Sequence, residues 1–252
     1  MATVNSAVLG LGPAFVVTLV LLVVAASLVA RAGRLGTARA TLTASVRAAV
    51  QLAVVSLIIV VVLRSWAMAL AFVAVMYVVA CATSARRISR HRTAIWAATA
   101  ILAGVTPTFA LLMASGSVPS NPVAVVPVVS ILIGGAMTAT SLAGRRALDT
   151  LRTRYGEYEA ALALGFTTRE AAVEICRPSA ADAMVPALDQ TRTVGLVTLP
   201  GAFVGVLLGG GGPVQAGAVQ LLVLVGLLAA ETVATLVTIE LVARQVIRWV
   251  RP

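Results

Sequence analysis

The amino-acid sequence predicts an all-α, polytopic membrane protein of about seven transmembrane helices, and three observations carry that prediction. Apolar residues make up 60% of the 252-residue chain and charged residues 11%, whereas a soluble domain carries about a quarter charged. The mean hydropathy is +1.03. The apolar residues also run in unbroken stretches of about twenty, or slightly fewer, the length that crosses the hydrocarbon core of a bilayer. In lipid an unpaired N–H or C=O finds no partner, so such stretches are helices. The alternation of a membrane barrel is absent from the sequence.

In chain order the apolar runs cover residues 11–30, 48–63, 67–85, 93–114 and 123–143, a sixth that ends near 208, and 219–243. The connections on one side are short and built from turn residues, Ser115 to Pro122 (SGSVPSNP) and Gly209 to Pro213 (GGGGP). No internal repeat is visible, so the chain does not read as two inverted halves. No basic stretch precedes the first apolar run, so a cleaved secretory signal is not expected.

Charge gives the orientation. The formal net charge is +10 and all nineteen basic residues are arginine. Arg31, Arg34, Arg39 and Arg47 follow the first run; Arg86, Arg87, Arg90 and Arg92 follow the third; Arg244, Arg248 and Arg251 close the chain. Seven more lie between the fifth and sixth runs, and the opposite loops hold Arg64 alone. By the positive-inside rule the C-terminus is cytoplasmic and the N-terminus lies outside, in the inner (plasma) membrane of the cell. Arginines so placed meet anionic lipid head groups, and nucleic acid is not expected as a partner.

The acids are just as unevenly placed. None of the nine precedes Asp149, and seven lie between the fifth and sixth runs: Asp149, Glu157, Glu159, Glu170, Glu174, Asp182 and Asp189. Residues 145–192 are therefore the soluble surface on which a cytoplasmic partner would dock. Within them EYEAALAL is helix-forming, and Gly165 suits a left-handed stop. Thr167 with Glu170 makes a capping box for a second helix that runs through Cys176 and ends at Pro178. An ordinary Ala-rich helix-turn-helix has the same pattern.

Chemistry-bearing residues inside the membrane are sparse. Glu231 is the carboxylate nearest the centre of a run, and a charged carboxylate there costs at least ~2.5–3.5 kcal/mol on insertion scales, so it should face a cavity or a partner. It reads as a cation ligand, a proton acceptor or a protonated residue bonding across a dimer. Asp189 and Arg192 precede an interruption at Pro200 and Gly201, where a missing N–H frees carbonyls; this is either a substrate pathway or a packing kink with an ion pair at the membrane boundary. A metal site cannot be assigned. Cys81 and Cys176 suit no metal knuckle, His91 sits among arginines as a head-group contact, and the methionines are scattered. No catalytic constellation and no Gly-x-x-x-x-Gly-Lys-Ser/Thr phosphate loop occurs.

Two resemblances rest on these residues. Glu159-Ala160-Ala161, three residues, Gly165, nine residues, Ile175 and then Pro178 resembles the EAA loop of ABC importer permeases, with Arg177 in place of the pattern's leucine. Over nearly the whole chain, SVRAAVQL from Ser45, GGAM from Gly134 and above all TVGLVTLPG from Thr193 to Gly201 are similar to the FetB-like iron-export permeases, a group that includes plant aluminium-tolerance permeases. Gly135 departs from the pattern, standing where an enterobacterial member has asparagine. The resemblance implies one transmembrane permease domain, residues 1–252, with a coupling segment at 145–192 that seats in a separate ATP-binding subunit through Glu159, Ala160, Ala161, Gly165, Arg169, Glu170, Ile175 and Pro178. It further implies a homodimer, export of iron, another metal ion or a metal-linked solute, and no cofactor on this chain, with ATP and Mg on the partner. Small alanines would allow close approach there, and Glu159 and Arg169 could bond across the joint. A proton-coupled secondary carrier acting through Glu231 and a non-transporting scaffold or sensor remain as alternatives.

Overall fold

A computed structural model describes residues 12–89 and 91–248. The expected start of the first run at Leu11, together with Arg90 and Arg251, lies outside the described residues. The chain divides into two units, residues 1–61 and 62–252.

The first unit holds α1 (Pro13–Ala32) and, to residue 61, α2 (Ala38–Val62). Pro13 opens α1 at the position where its missing N–H is no loss. The chain leaves α1 through Arg34 and Gly36, both at positive φ (51° and 70°). Apolar side chains stand outward along both helices, Leu57 at 80% exposure among them, as expected of surface given to acyl chains. Helix α2 begins ten residues before the expected 48, because the polar stretch from Ala38 winds into the same helix, with Thr41 and Ser45 hydroxyls donating to carbonyls one turn back.

The second unit is built around α5 (Pro122–Thr153), against which α3 (Trp66–Ile88), α4 (Ala97–Ala114) and α10 (Pro213–Ala243) pack. Ser65 caps α3 by accepting from the Met68 N–H at 3.3 Å, and Asn121 caps α5 by accepting from the Ala124 N–H at 2.9 Å. A 3-10 turn (Arg92–Trp96) leads into α4. At 32 residues α5 is about 48 Å long, so it overshoots a core of about 30 Å and carries its last turns into the segment expected to be soluble.

Small residues set the packing. Ala136, Ala139, Ala143 and Ala147 are buried down one face of α5, facing a bundle in which Ala230 and Ala234 of α10 are buried as well. On α4 a Cβ added to Gly104 would run into the Ala230 carbonyl, and on α5 one added to Gly144 would meet Ile88 Cδ1 at 2.8 Å. Backbones this close gain van der Waals contact that lipid does not offer. Gly135 likewise receives α10: Leu227 and Glu231 fill the space its Cβ would take, whereas Gly134 faces open space. Inside the bundle Thr108 donates within its own helix to the Gly104 carbonyl at 2.9 Å, and Ser141 of α5 donates across to Ser84 of α3 at 3.1 Å.

Among the described residues six helices are long and apolar enough to cross a membrane, α1 to α5 and α10, with the 3-10 turn counted into α4. The expected sixth crossing is instead broken into α8 (Val185–Thr193) and α9 (Gly201–Leu208). Among the described residues the seven expected runs thus correspond to six long helices and one interrupted segment. Gly195 at φ +81° donates its N–H to the Thr198 carbonyl at 2.9 Å and turns the chain, and Pro200 caps α9. The interruption expected at Pro200 is present, but it begins six residues earlier, at Val194.

Gly104→Val should therefore separate α4 from α10 and destabilise the protein by about 1–3 kcal/mol, seen as a lower midpoint of thermal unfolding in detergent. Gly217→Val on α10, where an added Cβ meets nothing within 4 Å, should leave the midpoint nearly unchanged.

Candidate functional site: a helical platform at the arginine-rich end

Beyond the end of α5 the chain turns at Arg154 into α6 (Tyr155–Ala163), bends at Gly165, and enters α7 (Thr168–Ala181). The bend is a Schellman closure: the Gly165 N–H donates to the Leu162 carbonyl at 3.0 Å and the Phe166 N–H to the Ala161 carbonyl at 3.1 Å. Gly165 sits at φ +93°, as its type suggests. Across the bend the capping box is complete. The Glu170 N–H donates to the Thr167 hydroxyl at 3.2 Å, and the Thr167 N–H and hydroxyl donate to the Glu170 carboxylate at 2.9 and 2.7 Å. Those bonds favour the charged form, first from the backbone and then from the side chain, and hold the Glu170 carboxyl below its usual range.

Helix α7 is amphipathic and its inner face is fully used. Ala171, Ala172, Ile175, Cys176 and Ala180 are buried in a cluster shared with Ala147, Leu148 and Leu151 of α5 and Ile239 and Val242 of α10. Burial pushes the Cys176 thiol up to about 11, so it is packing material. The helix does not end at Pro178 but continues to Ala181, because burial of Ala180 and Ala183 outweighs the one backbone bond that proline removes. Three polar ties fasten the platform: Thr150 and Ser179 hydroxyls bond at 2.7 Å, Arg146 pairs with Asp182 at 3.8 Å, and Arg169 makes a two-pronged pair with Glu240 of α10 at 2.6 and 2.9 Å. Glu240 also takes Arg244 at 2.5 Å, one helical turn on.

The expected site residues therefore fall into two groups. Glu159 and Ala160 are exposed on α6, with Ala161 half-buried beside the bend. Arg169 turns to Glu240 and does not meet Glu159; Glu170 closes the cap, Ile175 is core and Pro178 is exposed. Leu164 and Phe166, outside the motif, flank the bend and stand 80% and 45% exposed. Two large apolar residues on either side of a stop glycine were the available signal.

The other candidates lie apart from the platform. Asp189 and Arg192 form an exposed pair at 3.6 Å on α8. The TVGLVTLPG stretch makes a compact turn whose Leu196 and Val197 point outward, 90% and 77% exposed. Behind it a cavity of about 380 Å³ is lined by Val194, Pro200 and Phe203 with Gln220 of α10. Glu231 is buried, and its Oε1 lies against Gly135. The carboxyl therefore lies at the α5–α10 interface. No grouping of three or more His, Cys, Asp or Glu that could hold a metal occurs among the described residues.

A family model described as "Uncharacterised protein family (UPF0014)" matches residues 14–247. The chain belongs to this family. It is 35% identical over 209 residues to the UPF0014 membrane protein STAR2 of Oryza sativa subsp. japonica, covering 81% of this chain and 73% of that protein. To the protein ALUMINUM SENSITIVE 3 of Arabidopsis thaliana it is 35% identical over 136 residues, covering 54% of this chain and half of the relative. To the probable iron export permease protein FetB of Escherichia coli strain K12 it is 32% identical over 146 residues, covering 58% and 56%. No solved structure matches. The resemblance read from TVGLVTLPG and its companion motifs is thereby shown at the level of family, and the chain is a multi-pass membrane protein of the UPF0014 kind.

The depressed Glu170 carboxyl gives a pH dependence whose sign is fixed. Its contribution is present above the unfolded carboxyl range of about 4.3 and is lost as pH falls through the lower folded value. Amide protection at the start of α7 should hold from pH 7 to 5 and fall in more acid solution, and Glu170→Gln should remove that dependence. Hydrogen exchange read by mass spectrometry measures both.

Proposed function

We propose that this chain is the permease subunit of an ATP-driven exporter, and that residues 159–178 couple a separate ATP-binding subunit to the membrane helices. One observation carries the reading: an exposed apolar tip, Leu164 and Phe166, projects from a bend whose two arms are anchored to the ends of α5 and α10. A tip of this kind on a polar segment suits a groove in a partner. Push on it and the load passes through α7 into α5 by packing and into α10 through Arg169 and Glu240. Ala160 and Ala161 let a partner approach closely, and Glu159 offers it a charge. ATP and Mg belong to that partner.

The cargo is iron, another metal ion or a metal-linked solute; the name of the Escherichia coli relative favours iron. Oxygen donors suit a hard cation, and the turn carbonyls near Pro200, with Asp189 and Arg192 at its approach and Gly201 beyond, are where the chain leaves backbone unpaired by helix. The working unit is a homodimer. Gly134 faces open space and so offers a second copy a close helix contact, whereas Gly135 and Ala139 are already used within the chain. The N-terminus lies outside and the C-terminus in the cytoplasm, as the arginines place them.

Gly165→Val should strain the left-handed bend by ~1–3 kcal/mol and misalign α6 and α7. Glu159→Lys and Leu164→Glu should alter the docking surface alone. All three variants should insert and dimerise normally while losing association with the ATPase or substrate-stimulated ATP hydrolysis, measured per folded molecule after co-purification. Full coupling in all three would return the segment to an ordinary helix-turn-helix and put a proton-coupled carrier first. For topology, Ser117→Cys and Gln245→Cys should react with an impermeant maleimide from opposite faces of the membrane, and reaction from the same face would overturn the orientation.

A further inference from the structure

A groove of about 720 Å³ runs along one face of α3 and is closed on its other side by the 3-10 turn and the start of α4. Its lining changes character along its length. Val78 and Ala82 of α3 and Ile95 of the turn make the inner stretch, with Val78 63% and Ile95 66% exposed. Arg86 and Arg92 stand with His91 at the other end. From Val78 to Arg86 the helix rises about 12 Å, so the apolar wall and the cationic end are one continuous surface.

The two arginines at that end are left without an ion pair among the described residues, as is His91, and no acidic residue precedes Asp149. His91 uses Nδ1 on the Thr93 hydroxyl at 2.9 Å, which holds its ring at the groove mouth. A soluble anion would meet the arginines but leave the apolar wall bare. A protein partner's acidic surface would stop at the membrane face. An anionic lipid satisfies both ends, with its phosphate between Arg86 and Arg92 and an acyl chain along Val78 and Ala82.

We infer that the groove between α3 and the start of α4 is a binding site for an anionic phospholipid, with Arg86 and Arg92 as its head-group ligands. The inference rests on the membrane placement proposed above but not on the ATPase partnership, so loss of coupling in the Gly165 or Leu164 variants leaves it untouched.

The test uses the full chain in lipid nanodiscs of phosphatidylcholine with a minor share of phosphatidylglycerol, and counts lipids retained after release by native mass spectrometry. Phosphatidylglycerol should be retained in preference to phosphatidylcholine. Each arginine near an anionic surface is worth about a factor of five, from about 1 kcal/mol, so Arg86→Ala with Arg92→Ala should lower the preference about twenty-five-fold. Ala82→Phe should fill the apolar stretch and lower retention with every charge in place. Removing equal charge at Arg145 and Arg152, which do not line the groove, should lower the preference much less than the double variant does. Equal retention of the two lipids overturns the site, as does a preference that survives both the double variant and Ala82→Phe. Displacement of the lipid by inorganic phosphate at comparable concentration also overturns it, in favour of a soluble anion.

Discussion

Close approach of helix backbones is the constraint on which the rest of this structure depends. In a bilayer, apolar surface gains nothing by leaving lipid for another apolar surface, so helices associate through contact area and through polar groups that bond between them. Alanine and glycine supply that contact where α4 and α5 meet α10. Gly104 brings α4 against the Ala230 carbonyl, and Gly135 lets Leu227 and Glu231 of α10 lie against α5. Larger residues at these points would hold the helices apart, and α7 would then lose the paired wall of α5 and α10 on which it rests.

The same contact accounts for the place of Glu231. A carboxyl in a long apolar helix is costly unless something offsets its burial, and what the missing side chain of Gly135 supplies here is room for it between α5 and α10. Its setting is a helix interface inside one chain. The approach to Pro200 differs. There the backbone leaves helix altogether in a turn closed by its own hydrogen bond, and Gln220 waits behind it in a cavity with otherwise apolar walls.

What could be read in advance was whatever depends on neighbours in the chain. Membrane helices followed from the length of apolar runs, the bend from Gly165 and the cap from Thr167 and Glu170, because each is a local bargain between a side chain and nearby backbone. Features set by distant residues were not legible. Arg169 and Glu240 are 71 positions apart, so their pairing, which turns Arg169 away from Glu159, depends on how α7 lies across α10. Pro178 was read as a stop because its local effect is to break helix, yet burial of Ala180 and Ala183 carries α7 past it. The broken sixth segment was half visible: proline marked one end, while the glycine turn at Gly195 sat inside apolar sequence that reads as continuous span.

Helix α5 runs from its Asn121 cap to Thr153 without a break and is joined to α6 at a single residue, Arg154. Mechanically it is a lever. A tilt of about ten degrees over a rod of about 48 Å displaces one end by about 8 Å relative to the other, more than a full helical turn. Its one internal proline, Pro127, lies close to the Asn121 end. A rotation that begins among the buried residues at the Thr153 end therefore arrives at the Asn121 end as translation, taken up by bending where Pro127 removes a backbone bond or where Gly134 and Gly135 loosen the helix.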